Sequence, residues 1–391
     1  MEMFLKAVFR YSGIEFIYGL FMSRRNAQRP PIGLLWVVIF YLSAFGIAAQ
    51  RYNNRIDTVE QRIANFSTQL QSSPKVAWER LPALQKMQIP ATPTFFSPSS
   101  VFRSLIEETV YLDIARQFKI TIAAYKDSLS YVGFDLVDLS HMDLSRANLR
   151  GASLLEANLD SAVLVQADLR ETYLLYAYLR QTDLGEANLS NAYLREANLQ
   201  KANLQKANLR GADLQEAELQ KANLQKANLQ KANLQKANLQ KAGLQEANLQ
   251  KANLQKANLN NANLQKANLA SADLQKANLQ KANLASADLQ NADLRGADLT
   301  SANLGRANLV GADLRGGYLE RASLQNANLQ NADLGGAYLQ NANLSGTSSR
   351  GLTIDQLLQV KSLYNAYGLE QETMKQLQEQ APDLLTAKSL H

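Results

Sequence analysis

The chain has no cysteine and only two histidines, His141 and His391, among its 391 residues. That excludes a disulfide framework and a thiolate nucleophile, and it leaves too few ligands or bases for a zinc site or a histidine-based triad. A Walker loop and a glycine-rich strand-to-helix turn are also missing, so no motif cradles a nucleotide phosphate. An enzyme, a metal site and a cofactor are therefore not expected. Charge of one sign is lacking along most of the chain. The net charge is +6 and the pI about 9.2, yet residues 135–346 carry 22 Lys/Arg against 21 Asp/Glu.

What the chain has in abundance is a single five-residue unit. A leucine stands at every fifth position from Leu139 to Leu344, 42 in succession, most often inside the string QKANL, as at Gln200–Leu204. Five residues advance an α-helix by about 500°, so the leucines would scatter around its axis rather than share a face. In extended backbone, Ala202 and Leu204 point to one side and the residues around them to the other. Five is odd, so a straight strand would alternate the face of successive leucines. The chain must therefore turn once per repeat, giving a polygonal coil with alanine and leucine inside and Asn203, Gln205 and Lys206 outside.

Departures from the consensus recur twenty residues apart. Asp273, Asp293, Asp313 and Asp333 share such a column, as do Gly296, Gly316 and Gly336, and so do the pairs Tyr173/Tyr193, Tyr318/Tyr338 and Arg295/Arg315. Closure after four repeats is the simplest reading; duplication of a twenty-residue block would leave the same trace. On these residues the chain resembles the pentapeptide-repeat proteins, whose motif is A(D/N)LXX. The resemblance implies a mainly β fold: a right-handed quadrilateral β-helix, a pentapeptide solenoid with four repeats per coil. About ten coils spaced about 4.8 Å apart would make a rod of roughly 50 Å. Such a solenoid has two open ends that must be covered.

The flanks read as an N-terminal transmembrane/coiled-coil helix and helical caps. Residues 1–31 contain an aromatic-rich segment, Met3–Met22, interrupted by Lys6, Arg10 and Glu15, which suits an interfacial amphipathic helix; a second span is the alternative. Residues 32–49 are an uncharged run that predicts a transmembrane helix in contact with membrane lipid, with a cleaved signal peptide ending near Ala44-Phe45-Gly46 as the competitor. Arg24, Arg25 and Arg29 would place the repeats on the non-cytoplasmic side of a single-pass membrane protein, while Arg51, Arg55 and Arg62 after the run weigh against that orientation. Over residues 50–73, Tyr52, Ile56, Val59, Ile63, Phe66 and Leu70 form an a/d seam, predicting a coiled-coil stalk and homo-oligomer through 52–70, or else an amphipathic helix packed on its own chain.

Prolines at 74, 82, 90, 93 and 98 make 74–100 a linker. Residues 101–134 are expected to cap the first coil, with a helix near Val101–Phe118, rich in residues such as Phe102, Leu105 and Ile106, and a β-rich lead-in at Ile120–Tyr125. The solenoid spans 135–346. Residues 347–391 form the C-terminal cap: Thr353 and Gln356 are spaced as a capping box, Leu357, Leu358, Leu363 and Tyr364 cover the last coil, Gly368 ends the helix, and Leu369–Gln380 forms another.

Two surface features are candidate interaction sites. Tyr173, Tyr176, Tyr178, Tyr193 and Leu175, with Leu155, Val163 and Val165, give the early coils an outward apolar patch for the first cap or a partner. The columns Lys201/Lys221/Lys241 and Lys236/Lys256/Lys276 stack like charges about 5 Å apart, costing roughly 0.8 kcal/mol per neighbouring pair in water. An anionic partner would relieve this; a solubilising surface is the plain alternative. In the aspartate column a divalent cation would offset bare carboxylates, but Arg295 and Arg315 stand two residues from two of its members, so no metal is assigned. The expected function is a membrane-anchored, non-enzymatic scaffold presenting a rigid rod to an unknown protein partner, with nucleic acid not expected. The alternatives are a DNA-mimicking gyrase inhibitor, which the resemblance implies for some relatives, and a protein that binds polyanions or anionic lipid.

Overall fold

The computed structural model describes residues 32–72, 88–94, 98–106, 108–110, 122–123 and 126–386. They fall into two compact units, Met1–Thr121 and Ile122–His391. The segments 1–31 and 74–87, most of 111–125, and His391 lie outside the described residues, as do the readings made for them.

In the second unit each leucine of the five-residue series from Leu139 to Leu344 is at most 1 % exposed, and the alanines two places before them line the same interior. Thr172 and Thr182 take the alanine position, and each hydroxyl donates to a carbonyl, of Leu169 (2.7 Å) and Leu159 (2.8 Å). Parallel bridges link each residue before a leucine to its counterpart twenty ahead, from Gly133 with Ser153 to Ser323 with Asn343. Twenty residues at five per side is a four-sided coil.

One repeat, Ala202–Lys206, shows why the motif has these residues. The Ala202 N–H donates to Leu199 across a turn (3.0 Å), Asn203 donates to Thr182 on the preceding coil (2.9 Å), and Leu204 and Lys206 donate to Asn223 and Gln225 on the next (2.7 and 2.9 Å). The fifth donor, Gln205 N–H, faces the turn and has no backbone acceptor there. The Asn203 side-chain oxygen accepts from it (3.2 Å), and the Asn223 amide nitrogen donates to that same oxygen (3.2 Å). Asn or Asp therefore closes a turn and joins a ladder along the rod. All five donors are used, and buried backbone requires this.

Energies of this order balance. About 5 kcal/mol from five bonds and roughly 2–3 kcal/mol from burying Leu and Ala offset the roughly 5–10 kcal/mol of ordering five residues.

The turns impose a second periodicity. At 44 positions, every fifth residue from Tyr131 to Gly346, φ lies between 53° and 74°. A positive φ at the third residue of a hydrogen-bonded turn is the type II pattern, which favours Gly or Asn. Here most of these corners are Lys, Glu, Ser or Asn.

Ile122, Leu129, Val132 and Phe134 are buried at the first coil; Ile122 and Ala123 are helical rather than the strand expected there. At the other end the capping box forms as predicted, with Thr353 N–H donating to Gln356 Oε1 (2.8 Å) and Gln356 N–H to Thr353 Oγ1 (3.3 Å). It opens a short helix, α3, Ile354–Leu358. The Gln356 amide also donates to Leu329 and Ala332 carbonyls of the last coil (2.9 and 2.7 Å). The helix stops at Leu358 instead of Gly368, because Ser362 and Tyr367 pair with Tyr338 and Asn343 and continue two sides of the coil. Leu352, Leu357 and Leu363 are buried, while Leu358 and Tyr364 are half-buried. A last helix, α4, spans Gln371–Gln380.

In the first unit, helix α1 spans Ile32–Ser72, β1 (Gln88–Pro90) pairs antiparallel with β2 (Glu108–Val110), and α2 spans Pro98–Ile106. The helix expected at Val101–Phe118 thus ends at Ile106, where the chain enters β2. Ala44 and Ala48 pack with Val101, joined by Tyr41, Phe45 and Leu105. Arg51 donates to the Ser104 carbonyl (3.4 Å) and to that of Leu105, closing the end of α2.

These contacts correct the membrane expectations. Among the described residues no helix is long and apolar enough to cross a membrane, which overturns the single-pass membrane localisation and the assignment of 32–49 as a span. Tyr41, Ala44, Phe45 and Ala48 pack with Val101 and Leu105 of α2 instead. The a/d seam is likewise met from within the chain: Val59 and Phe66 are 0 % and 2 % exposed without a second copy. The coiled-coil stalk is not supported, and the helix packed on its own chain is what forms.

Candidate functional site

Because the coil has four sides, each corner residue with positive φ runs along one edge of the rod. Lys236, Lys256 and Lys276 follow one edge, and Lys201, Lys221, Lys241 and Lys281 follow the next. The two lysine columns nominated from sequence therefore bound the same face. Between them lie Asn238, Asn258 and Asn278, with Gln240, Asn260 and Gln280 beside them. The Asn258 amide donates to Asn238 (3.4 Å), and each asparagine oxygen accepts from the backbone two residues on. The strip is thus held flat.

Near-neutrality of the whole solenoid conceals a division by segment. Residues 201–281 carry 13 Lys/Arg against 5 Asp/Glu, whereas 135–200 carry 5 against 10 and 282–346 carry 4 against 6. Of the twelve lysines in the basic belt, three pair with glutamates: Lys206 with Glu186 (2.9 Å), Lys226 with Glu246 (3.6 Å) and Lys236 with Glu216 (2.8 Å). The other nine bridge to no carboxylate among the described residues.

The tyrosine patch divides between faces. Tyr173 and Tyr193 stack with ring centroids 4.9 Å apart and planes 7° from parallel. Tyr176 sits at the edge, Leu175 is half-buried beside it, and Tyr178 lies round the corner. Tyr178 belongs to the lysine-edged face, on the column that continues through Asn198, Glu218, Asn238, Asn258, Asn278 and Asp298 to Tyr318 and Tyr338. Tyr318 and Tyr338 are themselves stacked at 5.2 Å. Sequence reasoning recognised the later pair but not its place on the face of Tyr178; counting twenties from 178 to 318 would have found it.

The aspartate column is neutralised from within. Arg295 donates through Nε and Nη2 to Asp293 (2.9 and 2.6 Å), and Arg315 does the same to Asp313. Gln275 donates to Asp293 (2.9 Å) and Gln255 to Asp273 (2.6 Å). Hydrogen bonds from these arginines hold the Asp293 and Asp313 carboxyls below the usual range. No cluster of His, Cys, Asp or Glu able to hold a metal occurs among the described residues. An open cleft of about 990 Å³ lies between the last coil and α3, lined chiefly by amides with Asp333 and Arg350.

The pattern for Pentapeptide repeats (8 copies) matches residues 134–171, 173–211, 207–244, 242–280, 277–316 and 318–348. The chain belongs to the pentapeptide-repeat family. With membership comes the right-handed quadrilateral β-helix that the bridges above describe. Among solved pentapeptide-repeat structures, HetL, involved in heterocyst differentiation regulation in the cyanobacterium Nostoc sp. strain PCC 7120, is 33% identical, covering 58% of this chain and 95% of its own, with a TM-score of 0.42. A pentapeptide-repeat protein of the Arabidopsis thaliana thylakoid lumen is 32% identical over 25% of this chain and 68% of its own, at 0.25. QnrB1, a plasmid-mediated fluoroquinolone resistance protein, is 17% identical over 54% and 95%, at 0.32. The comparison with curated proteins gave no match.

Proposed function

We propose that the repeat unit of this pentapeptide-repeat protein is a non-enzymatic interaction module, a rigid rod whose lysine-edged face receives a partner. The observation that carries this is the juxtaposition of two rows of mostly unpaired lysines across a flat strip of ordered amides. Rigidity follows from the near-complete use of backbone donors, so the face needs no ordering when a partner binds. A photo-crosslinking side chain at Gln240, on this face, should capture a partner in cells that express the protein. The same group at Gln250, on the opposite face, should not. Equal capture from both positions would remove the reading.

Gyrase inhibition by mimicry of DNA requires an anionic surface along the rod, and the central coils are cationic. Full supercoiling by gyrase in an excess of the protein is the expected result, and inhibition would restore that alternative.

A further inference from the structure

We propose that the occupant of the lysine-edged face is an extended acidic polysaccharide lying along the rod, a proposal that rests on the reading of this unit as an interaction module. Three chemistries meet on one strip. Over the central coils its edges carry ammonium groups in straight rows, suited to carboxylates or sulfates repeated along a linear chain, with Glu196 and Glu216 preceding the lysines on one edge and Glu216 paired to Lys236 (2.8 Å). Its floor is mainly asparagine and glutamine amides, which both donate and accept and so match hydroxyl groups; the two carboxylates in the column, Glu218 and Asp298, accept from the Gln220 and Gln280 amides. Its two ends carry exposed tyrosines, Tyr178 and Tyr318, 48% and 45% accessible, whose rings offer an apolar surface to the C–H faces of sugars while their hydroxyls stay wet.

The seven coil steps from Tyr178 to Tyr318 span about 34 Å at 4.8 Å per step. A ligand touching both ends must be long and narrow. A single-stranded nucleic acid would need stacking platforms along its length, and between Asn198 and Asp298 this column has no aromatic residue. A duplex or an anionic bilayer would use the lysines but leave the amide floor without hydroxyl partners.

The test is titration of the full chain with polygalacturonate, beside uncharged dextran, duplex DNA and vesicles containing phosphatidylserine. Polygalacturonate should bind, more weakly as salt rises, and dextran should not. Lys236→Gln, Lys256→Gln and Lys276→Gln together should weaken binding about tenfold, as expected for three exposed charge pairs. Glutamine already occupies such a corner at Gln181 with φ 57°, so the backbone tolerates it. Lys206→Gln, Lys226→Gln and Lys266→Gln, on the opposite edge, should change affinity less than about twofold. Tyr178→Ala with Tyr318→Ala should weaken binding about fivefold with no change in charge, in line with two lost ring contacts. Unchanged melting temperatures would show the variants folded. Equal effects of the two lysine sets, binding to DNA or vesicles at least as tight, or no polygalacturonate binding would each overturn the proposal. Crosslinking from Gln240 to a protein without polysaccharide binding would overturn it while leaving the interaction module standing.

Discussion

At Gly243 the repeat loses the side chain that completes its turn. In most repeats an Asn or Asp oxygen accepts the N–H two residues on, as Asn223 does for Gln225 at 3.1 Å, but no such oxygen faces the Gln245 N–H. A Cβ built at Gly243 would meet only the Gln245 side-chain oxygen at 3.0 Å and Asn223 Oδ1 at 3.9 Å, and the glutamine end can swing away. Gly243→Asn should therefore stabilise the fold by about 1 kcal/mol in denaturant unfolding. Asn228→Ala, which removes both the Gln230 acceptor (3.1 Å) and a bond to Asn208 (3.2 Å), should cost a similar amount or more. The corners make a separate demand. Lys251 holds φ 59°, where a Cβ costs roughly 1–2 kcal/mol, so Lys251→Gly should raise stability modestly and Lys251→Val should lower it, because a β-branched side chain fits that conformation worst. The leucine period was legible because burial permits few residue types inside. The corner conformation was not, since long polar side chains fill it and only the bonding cooperativity of the coil holds them there.

Columns rather than single residues set the response to acid and the integrity of the ends. Asp293 and Asp313 have folded-state pKa values depressed chiefly by hydrogen bonds from Arg295 and Arg315. The unfolded reference is about 3.9. A depressed carboxylate contributes stability that is present above that value and lost as pH falls through the lower, folded one. Arg295→Gln with Arg315→Gln should thus lower the melting temperature more at pH 7 than at pH 2, and equal losses at both would show that the ladder is not the source. At the C-terminal end Gln356 joins helix α3 to two carbonyls of the last coil. Gln356→Leu would break the capping box and strand those acceptors, so amide exchange should quicken over Leu329–Leu363 while coils near Leu204 stay protected. The capping box could be read from Thr353 and Gln356 alone, but the reach of Gln356 into the coil could not, because it depends on where two distant carbonyls end up. For the same reason the apolar run 32–49 read as a membrane span: its packing against Val101 and Leu105 joins residues about fifty positions apart.

For the whole molecule, identical repeats mean that length can change without loss of fold, whereas alignment cannot. Removing Lys241–Asn260 deletes one full coil, and every later residue drops onto the position twenty before it, so Tyr318 stays on the face of Tyr178. Removing Lys241–Gln250 deletes half a coil and turns everything beyond it to the opposite side. The twenty-residue deletion takes three belt lysines, Lys241, Lys251 and Lys256, and the ten-residue deletion only Lys241. If the rod recognised charge alone, the longer deletion would weaken a polyanion more. If it recognises the aligned face, the shorter deletion should do the greater damage, with both variants melting cooperatively and the rod shortening by about 5 Å or about 2.5 Å in small-angle scattering. Net charge summed over the solenoid hides this distinction, since a cationic centre between anionic flanks averages to near zero. It emerges only when residues are sorted by coil and side, because a solenoid turns sequence spacing into position along an edge.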